Sequence, residues 1–129
     1  MINYGFTKEL DIPYERVIEQ VREALKKEGF GVLTEIDGKE KMKEKLGLDM
    51  RKYIILGACN PPNAYKAILA EENIGLMLPC NVVVYEKGSK TVLSVTRPTV
   101  AMQMIDNMEL QKLAGVVEGQ LQKAFDAIK

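Results

Sequence analysis

The sequence contains no histidine in its 129 residues. Histidine is the commonest general base, the commonest metal ligand and the usual activator of a serine or cysteine nucleophile. Serine occurs only at Ser89 and Ser94, and neither lies in a GxSxG-type nucleophile turn. These absences argue strongly against a hydrolase built on a catalytic triad.

The chain also lacks net charge, because 18 basic side chains balance 18 acidic ones. A strongly basic composition, which would indicate nucleic-acid binding, is absent, so we expect no nucleic-acid partner. No apolar run approaches the roughly 18 residues that a membrane span needs, and we expect no membrane partner. The first ten residues show no secretory-signal pattern. We therefore expect a soluble, cytoplasmic protein whose two cysteines are free thiols.

No linker, repeat or low-complexity stretch divides the chain, so residues 1–129 are predicted to form a single domain. Hydrophobic periodicity and turn residues predict strands at residues 2–10, 31–36, 53–58, 81–86 and 91–96. They also predict four helices. The first begins after Asp11 and Pro13 and ends at Gly29, and the second is a short helix over 39–46, capped by Asp37, with Met42 and Leu46 facing inward. The third begins after Asn60, and the fourth is a long helix over 108–128.

This order of elements is typical of an α+β fold. Its simplest assembly is a mostly antiparallel sheet packed on one face by the long C-terminal helix. With about five strands, the other face of the sheet is expected to stay partly apolar. A homodimer would cover that face.

The two cysteines occupy matching positions at strand ends. Cys59 follows the third predicted strand and Cys80 precedes the fourth, and each is followed by an asparagine, Asn60 or Asn81. If these strands are antiparallel neighbours, both thiols lie at one edge of the sheet. Cys59 also lies just before a helix, where the helix N-terminus favours the thiolate.

Several roles are open to these residues. Cys59, Asn60, Cys80 and Asn81 are candidates for binding a small ligand or cofactor whose identity the sequence leaves unknown. Cys59 and Cys80 are candidate metal ligands, although a closed zinc site would need carboxylates or a second subunit. A redox-sensing thiol pair is another role, and inert packing at strand ends is the fourth. Catalytic residues are not identified, and the sequence leaves open whether the protein is an enzyme.

Four methionines lie near the ends of the predicted elements: Met77, Met102, Met104 and Met108. Thioethers favour Cu(I), but methionine at irregular spacing is more typical of adaptable core packing. We interpret these methionines as packing residues.

Five parts of the chain resemble the domain of unknown function, family 302. They are GFGVLTEID at 29–37, KEKLG at 43–47, YIILGACNP at 53–61, LPCNVVVYE at 78–86, and the closing amphipathic helix. The resemblance implies a TBP-like α+β fold (β-α-β4-α), usually homodimeric, and no assigned activity. Our leading hypothesis is a homodimeric module that binds a small ligand, metal or cofactor at the Cys59/Cys80 edge. The alternatives are a thiol-based redox sensor or enzyme, and a structural homodimer without a ligand.

Overall fold

The computed structural model describes residues 2–129 and contains one five-stranded sheet with helices against one face. In chain order the elements are β1 (Gly5–Leu10), α1 (Tyr14–Lys27), β2 (Gly31–Asp37), α2 (Gly38–Leu46), β3 (Tyr53–Cys59), α3 (Pro61–Ala70), a 3-10 helix (Glu72–Met77), β4 (Cys80–Lys87), β5 (Lys90–Thr96), α4 (Pro98–Ala101) and α5 (Met108–Ala127). Over this part of the chain, no helix is both long and apolar enough to cross a membrane.

The strands follow the order β1-β5-β4-β3-β2, and every neighbouring pair is antiparallel. The β4–β5 hairpin turns through Gly88, whose φ of 61° is a conformation that glycine adopts without strain. The α+β class, the antiparallel sheet and the packed C-terminal helix predicted from the sequence are confirmed.

The main core lies between the sheet and helices α1 and α5. Alternate residues of β3, Ile54, Leu56 and Ala58, point into it because side chains alternate between the faces of a strand. From α1, Val17 and Val21 fill the same layer, at the helical spacing that the sequence predicts. This layer packs β3 and β4 against α1 and α5.

A second, smaller cluster lies beyond the end of the sheet. It joins the 3-10 helix through Ile74, α3 through Ala67 and the start of α5 through Leu110 and Ala114, with Met102 completing it. Leu78 packs against both clusters, so it marks the seam between them.

Three predictions about the strands and helices were wrong. The first strand begins at Gly5, not at residue 2. Asp11 does not cap α1; its carboxylate pairs with Lys90, and Pro13 occupies the cap position. Met42 and Leu46 do not face inward, being 39% and 63% exposed, since α2 contacts the edge strand β2 and its neighbour β3 and buries none of its residues.

The sheet face opposite α1 and α5 is open and partly apolar. Tyr53 and Tyr85 stack there with ring centroids 5.4 Å apart, and Ile55 and Val83 are half-buried beside them. At the β2 edge, Ile36 is 46% exposed. The expected apolar character of this face is therefore present.

Candidate functional site

The β3–β4 register brings the two cysteines together. Ala58 of β3 lies opposite Cys80 of β4, so Cys59 is one register position away from Cys80 at the same end of the sheet. Cys59 is half-buried, Cys80 is buried, and neither forms a disulfide. The sequence-based expectation that antiparallel pairing places both thiols at one edge is correct.

Asn60 turns the chain from β3 into α3. Its side-chain Oδ1 accepts a hydrogen bond from the Asn63 amide at 3.3 Å, and its carbonyl accepts one from the Ala64 amide at 2.9 Å. Pro61 and Pro62, which have no N–H, fill the first turn of the helix. The predicted cap is confirmed, and its role is to direct α3 across the end of the sheet.

Between α3, α5 and the end of the sheet lies a cavity of about 360 Å³. We call it the seam cavity, because its wall includes members of both apolar clusters. Cys59, Cys80 and Asn60 are part of this wall. The remaining wall residues are mostly apolar and come from six elements and the loops between them: Phe30, Leu33, Thr34, Ala58, Asn63, Ala64, Ala67, Ile68, Gly75, Leu78, Pro79, Pro98, Met102, Leu110, Leu113, Ala114 and Val117.

Small residues leave this space open. Ala64 and Ala67 on α3 face Ala114 on α5 across the cavity, and none of the three reaches far from its helix. Larger side chains at these positions would fill the volume, as side chains do in a close-packed core. The seam cavity therefore follows from alanine at facing helix positions.

A glycine fixes the wall next to Cys80. A Cβ added at Gly57 would lie 2.1 Å from Thr34 Oγ1 and 2.6 Å from Pro79 Cγ. Beside it, β2 is irregular between Val32 and Thr34, which turns Leu33 toward the cavity. Pro79 can approach β3 this closely only because Gly57 has no side chain, and Pro79 in turn positions Cys80.

The environment of Cys80 disfavours its thiolate. Burial, with a smaller contribution from a charge on the neighbouring Cys59, raises the pKa of the Cys80 thiol to about 11. Since the thiolate is both the nucleophile and the metal-binding form, Cys80 is a weak nucleophile near neutral pH.

Asn81 does not join the other candidate residues. It lies opposite Gly57 on the open face of the sheet, is exposed, and is not part of the cavity wall. Nowhere in residues 2–129 do three or more His, Cys, Asp or Glu side chains cluster closely enough to hold a metal ion. Within the described residues, Cys59 and Cys80 therefore have no third His, Cys, Asp or Glu side chain placed beside them to bind a metal ion.

The charged groups beyond the cavity neutralise one another. Glu118 of α5 accepts hydrogen bonds from Arg97 Nε at 3.2 Å through one oxygen, and from the Thr99 amide and hydroxyl at 3.0 and 2.6 Å through the other. Arg97 also donates to the Asn3 carbonyl at 3.1 Å. This network ties α4 to α5 and uses the Arg97 charge inside the fold.

Sequence reasoning missed most of the cavity wall. Met102 is a packing residue, as interpreted from the sequence, whereas Met104 and Met108, 79% and 77% exposed, are not. Met102 also contacts the seam cavity, as do Leu110 and Ala114. The only sequence feature that points to the space is alanine at inward positions of α3 and α5.

Comparison with known proteins places the chain in a family. Residues 6–128 match the family model for the domain of unknown function DUF302. A solved structure of an uncharacterized conserved DUF302 protein from Bacillus stearothermophilus is 32% identical, with a TM-score of 0.91, and the match covers 98% of each chain. No curated protein matches the sequence. The chain belongs to the DUF302 family.

Proposed function

We propose that this DUF302 protein is a non-enzymatic module that binds a small organic molecule in the seam cavity. The main support is the cavity itself: about 360 Å³ at the Cys59/Cys80 edge, with an apolar wall and a few polar groups. Small-molecule sites in proteins are typically apolar clefts of about 300–1,000 Å³ with few polar groups that fix orientation.

A binding role suits the chemistry of the wall better than a catalytic one. The chain has no histidine to act as a base, and the raised pKa keeps Cys80 protonated at neutral pH. Cys59, Asn60 and Cys80 then act as contact groups: weak donors and acceptors in an otherwise apolar wall. The same raised pKa opposes metal binding by Cys80, so an organic ligand is favoured over a metal ion.

The test is displacement of a neutral solvatochromic dye, such as Nile red, combined with native mass spectrometry of protein prepared under reducing conditions. Ala64→Phe should fill the cavity, so the variant should bind no dye and should carry no bound molecule in the mass spectrum. Lys66→Phe adds the same ring to the exposed side of α3 and serves as the matched control. Dye binding that is equal in the two variants would refute the proposal.

A thiol redox pair is the second candidate, and the presence of both Cys59 and Cys80 in the wall of one cavity favours it. Oxidation by a peroxide would join the two sulfurs in a disulfide, and the two thiol protons and two electrons would reduce the peroxide to two waters, or to an alcohol and one water. This reaction needs a thiolate at one sulfur. Because Cys80 is the buried and protonated member, Cys59 would have to attack first.

A second copy of the chain is the proposed partner, and it would cover the open sheet face. The stacked Tyr53 and Tyr85 lie on this face beside Val83 and between charges of both signs, Glu9 and Lys87. A two-fold axis presents the same patch from both sides, so acid and base can pair across it. Val83→Lys should yield monomers by light scattering, whereas a lysine at Val116, on the exposed side of α5, should not.

A further inference from the structure

The wall of the seam cavity contains no charged side chain. Its polar groups are the hydroxyl of Thr34, the thiols of Cys59 and Cys80, and the amides of Asn60 and Asn63. All are neutral at pH 7 except where a thiol ionises, and burial opposes that at Cys80. A charged ligand would find no fixed charge here to pair with.

The N-terminus of α3 borders the cavity but offers no free amide. A helix N-terminus normally binds anions through its first N–H groups. Here Pro61 and Pro62 have no N–H, and the amides of Asn63 and Ala64 already donate to Asn60. The backbone therefore provides no site for a phosphate or carboxylate.

The polar side chains near the cavity are also partly occupied. The side-chain amide of Asn63 donates to Gln120 Oε1 at 3.2 Å, and the Asn60 side-chain oxygen caps α3. Glu118, on the neighbouring turns of α5, uses one oxygen for Arg97 and the other for Thr99. What these bonds leave available at the cavity is uncharged, the Asn60 side-chain nitrogen and the Asn63 side-chain oxygen, and neither carries a charge to pair with an ion.

From these observations we infer that the seam cavity selects neutral, hydrocarbon-rich molecules and rejects charged ones of the same size and shape. This inference rests on the proposed function. Transfer of an ionised group from water into such a wall is costly unless a partner charge or several hydrogen bonds replace its hydration. An apolar cavity of about 150 Å³ already holds benzene in another protein, so this one has room for a ring system or a medium-length alkyl chain.

The experiment compares three probes that share one ten-carbon chain: decan-1-ol, decanoate and decylammonium. Each is titrated into the full-length protein near neutral pH by calorimetry and by Nile red displacement, with the ions below their micelle concentrations and decan-1-ol below its solubility limit. Decan-1-ol should bind, and both ions should bind at least about tenfold more weakly, because their head groups lose hydration without compensation. Ala64→Phe should weaken decan-1-ol binding at least about tenfold, and Lys66→Phe should leave it unchanged.

The outcomes separate the two proposals. If an ionic probe binds as tightly as decan-1-ol and Ala64→Phe weakens both, the cavity is a binding site but charge rejection is refuted. If no probe binds, or Ala64→Phe binds decan-1-ol as the natural sequence does, the proposed function fails together with this inference. If decan-1-ol binds tightly, the two ions do not, and Ala64→Phe abolishes binding of the alcohol, the result supports both the proposed function and the rejection of charged molecules.

Discussion

Reaction of Cys80 with a small aromatic disulfide tests the electrostatics of the site directly. Single-cysteine variants separate the thiols: Cys59→Ala leaves Cys80, and Cys80→Ala leaves Cys59. Alanine suits position 80 better than serine, because burying an unpaired hydroxyl there would cost about 1–3 kcal/mol. The released aromatic thiolate is followed by absorbance, for the native protein and for the same variant in denaturant.

The expected slowing follows from the Cys80 pKa. Burial and, to a smaller extent, the neighbouring Cys59 raise the pKa from 9.0 to about 11. Cys59→Ala keeps the larger cause, so its native thiolate fraction well below pH 9 should be smaller than in the unfolded chain by up to about 100-fold. The more basic thiolate is intrinsically more nucleophilic, and a Brønsted slope of about 0.4–0.5 restores roughly six- to tenfold. The net slowing from ionisation is therefore up to about 10–15-fold. The buried position of the sulfur slows the reaction further.

The pH profile is the sharper measurement. The native rate at Cys80 should rise about tenfold per pH unit from about pH 8 to about pH 10 without levelling off, since half-ionisation lies near pH 11. A plateau at or below pH 9, or a native rate equal to the unfolded rate, would refute the assignment of Cys80 as a protonated contact group. It would also favour the redox alternative.

Three further predictions concern the framework of the site. Gly57→Ala should lower the free energy of unfolding by about 1–3 kcal/mol in urea titrations, because the added Cβ collides with Thr34 and Pro79. The control, Gly119→Ala, adds a Cβ in open space on α5 and should raise the free energy of unfolding by up to about 1 kcal/mol. Equal effects of the two substitutions would contradict the close approach of Pro79 and Thr34 to Gly57. Asn60→Ala should lower the free energy of unfolding by about 0.5–2 kcal/mol, because α3 loses its N-terminal cap, and Asn60→Ser should restore most of this stability. An Asn60→Ala variant as stable as the natural protein would show that the Asn60 side chain does not stabilise α3. Burial, with smaller contributions from Asp37 and other nearby carboxylates, raises the Tyr14 pKa from 10.0 to about 12, so the stability that Tyr14 contributes is complete below pH 10 and lost as the pH rises through 12. Tyr14→Phe should remove up to about 2–3 kcal/mol of this loss of stability at alkaline pH. If the alkaline unfolding transition is unchanged in the variant, Tyr14 does not ionise in it.

Local features of this fold could be predicted because their causes are local. The Asp37 and Asn60 caps, the left-handed Gly47 that ends α2 and the turn at Gly88 each depend on a few neighbouring residues. The amphipathic faces of α1 and α5 follow from spacing alone. The pairing of Cys59 with the Cys80 strand needed one assumption, antiparallel neighbours, and the register confirms it.

The cavity could not be predicted, because it depends on volume rather than on pattern. Its wall joins residues as far apart in sequence as Phe30 and Val117, and its space exists because facing alanines do not fill it. Periodicity identifies Ala64 or Ala114 as inward-facing but does not reveal whether a neighbour occupies the gap. The same limit explains Met42 and Leu46, where apolar character on a charged helix was mistaken for burial.

Ligand binding and thiol chemistry would compete for one space, since Cys59 and Cys80 are both in the wall of the seam cavity. A molecule bound there should shield the half-buried Cys59 from the aromatic disulfide. With the probe at about ten times its dissociation constant, only about one tenth of the protein is free, so the Cys59 rate should fall about tenfold. Decan-1-ol that binds by calorimetry but leaves this rate unchanged must lie elsewhere, and the cavity would lose its assignment. Conversely, a disulfide between the two sulfurs would alter the cavity wall. If oxidised protein binds decan-1-ol as tightly as reduced protein, the cysteines are not part of the binding site. The reaction rate of Cys59 therefore reports on the ligand and redox proposals with one observable.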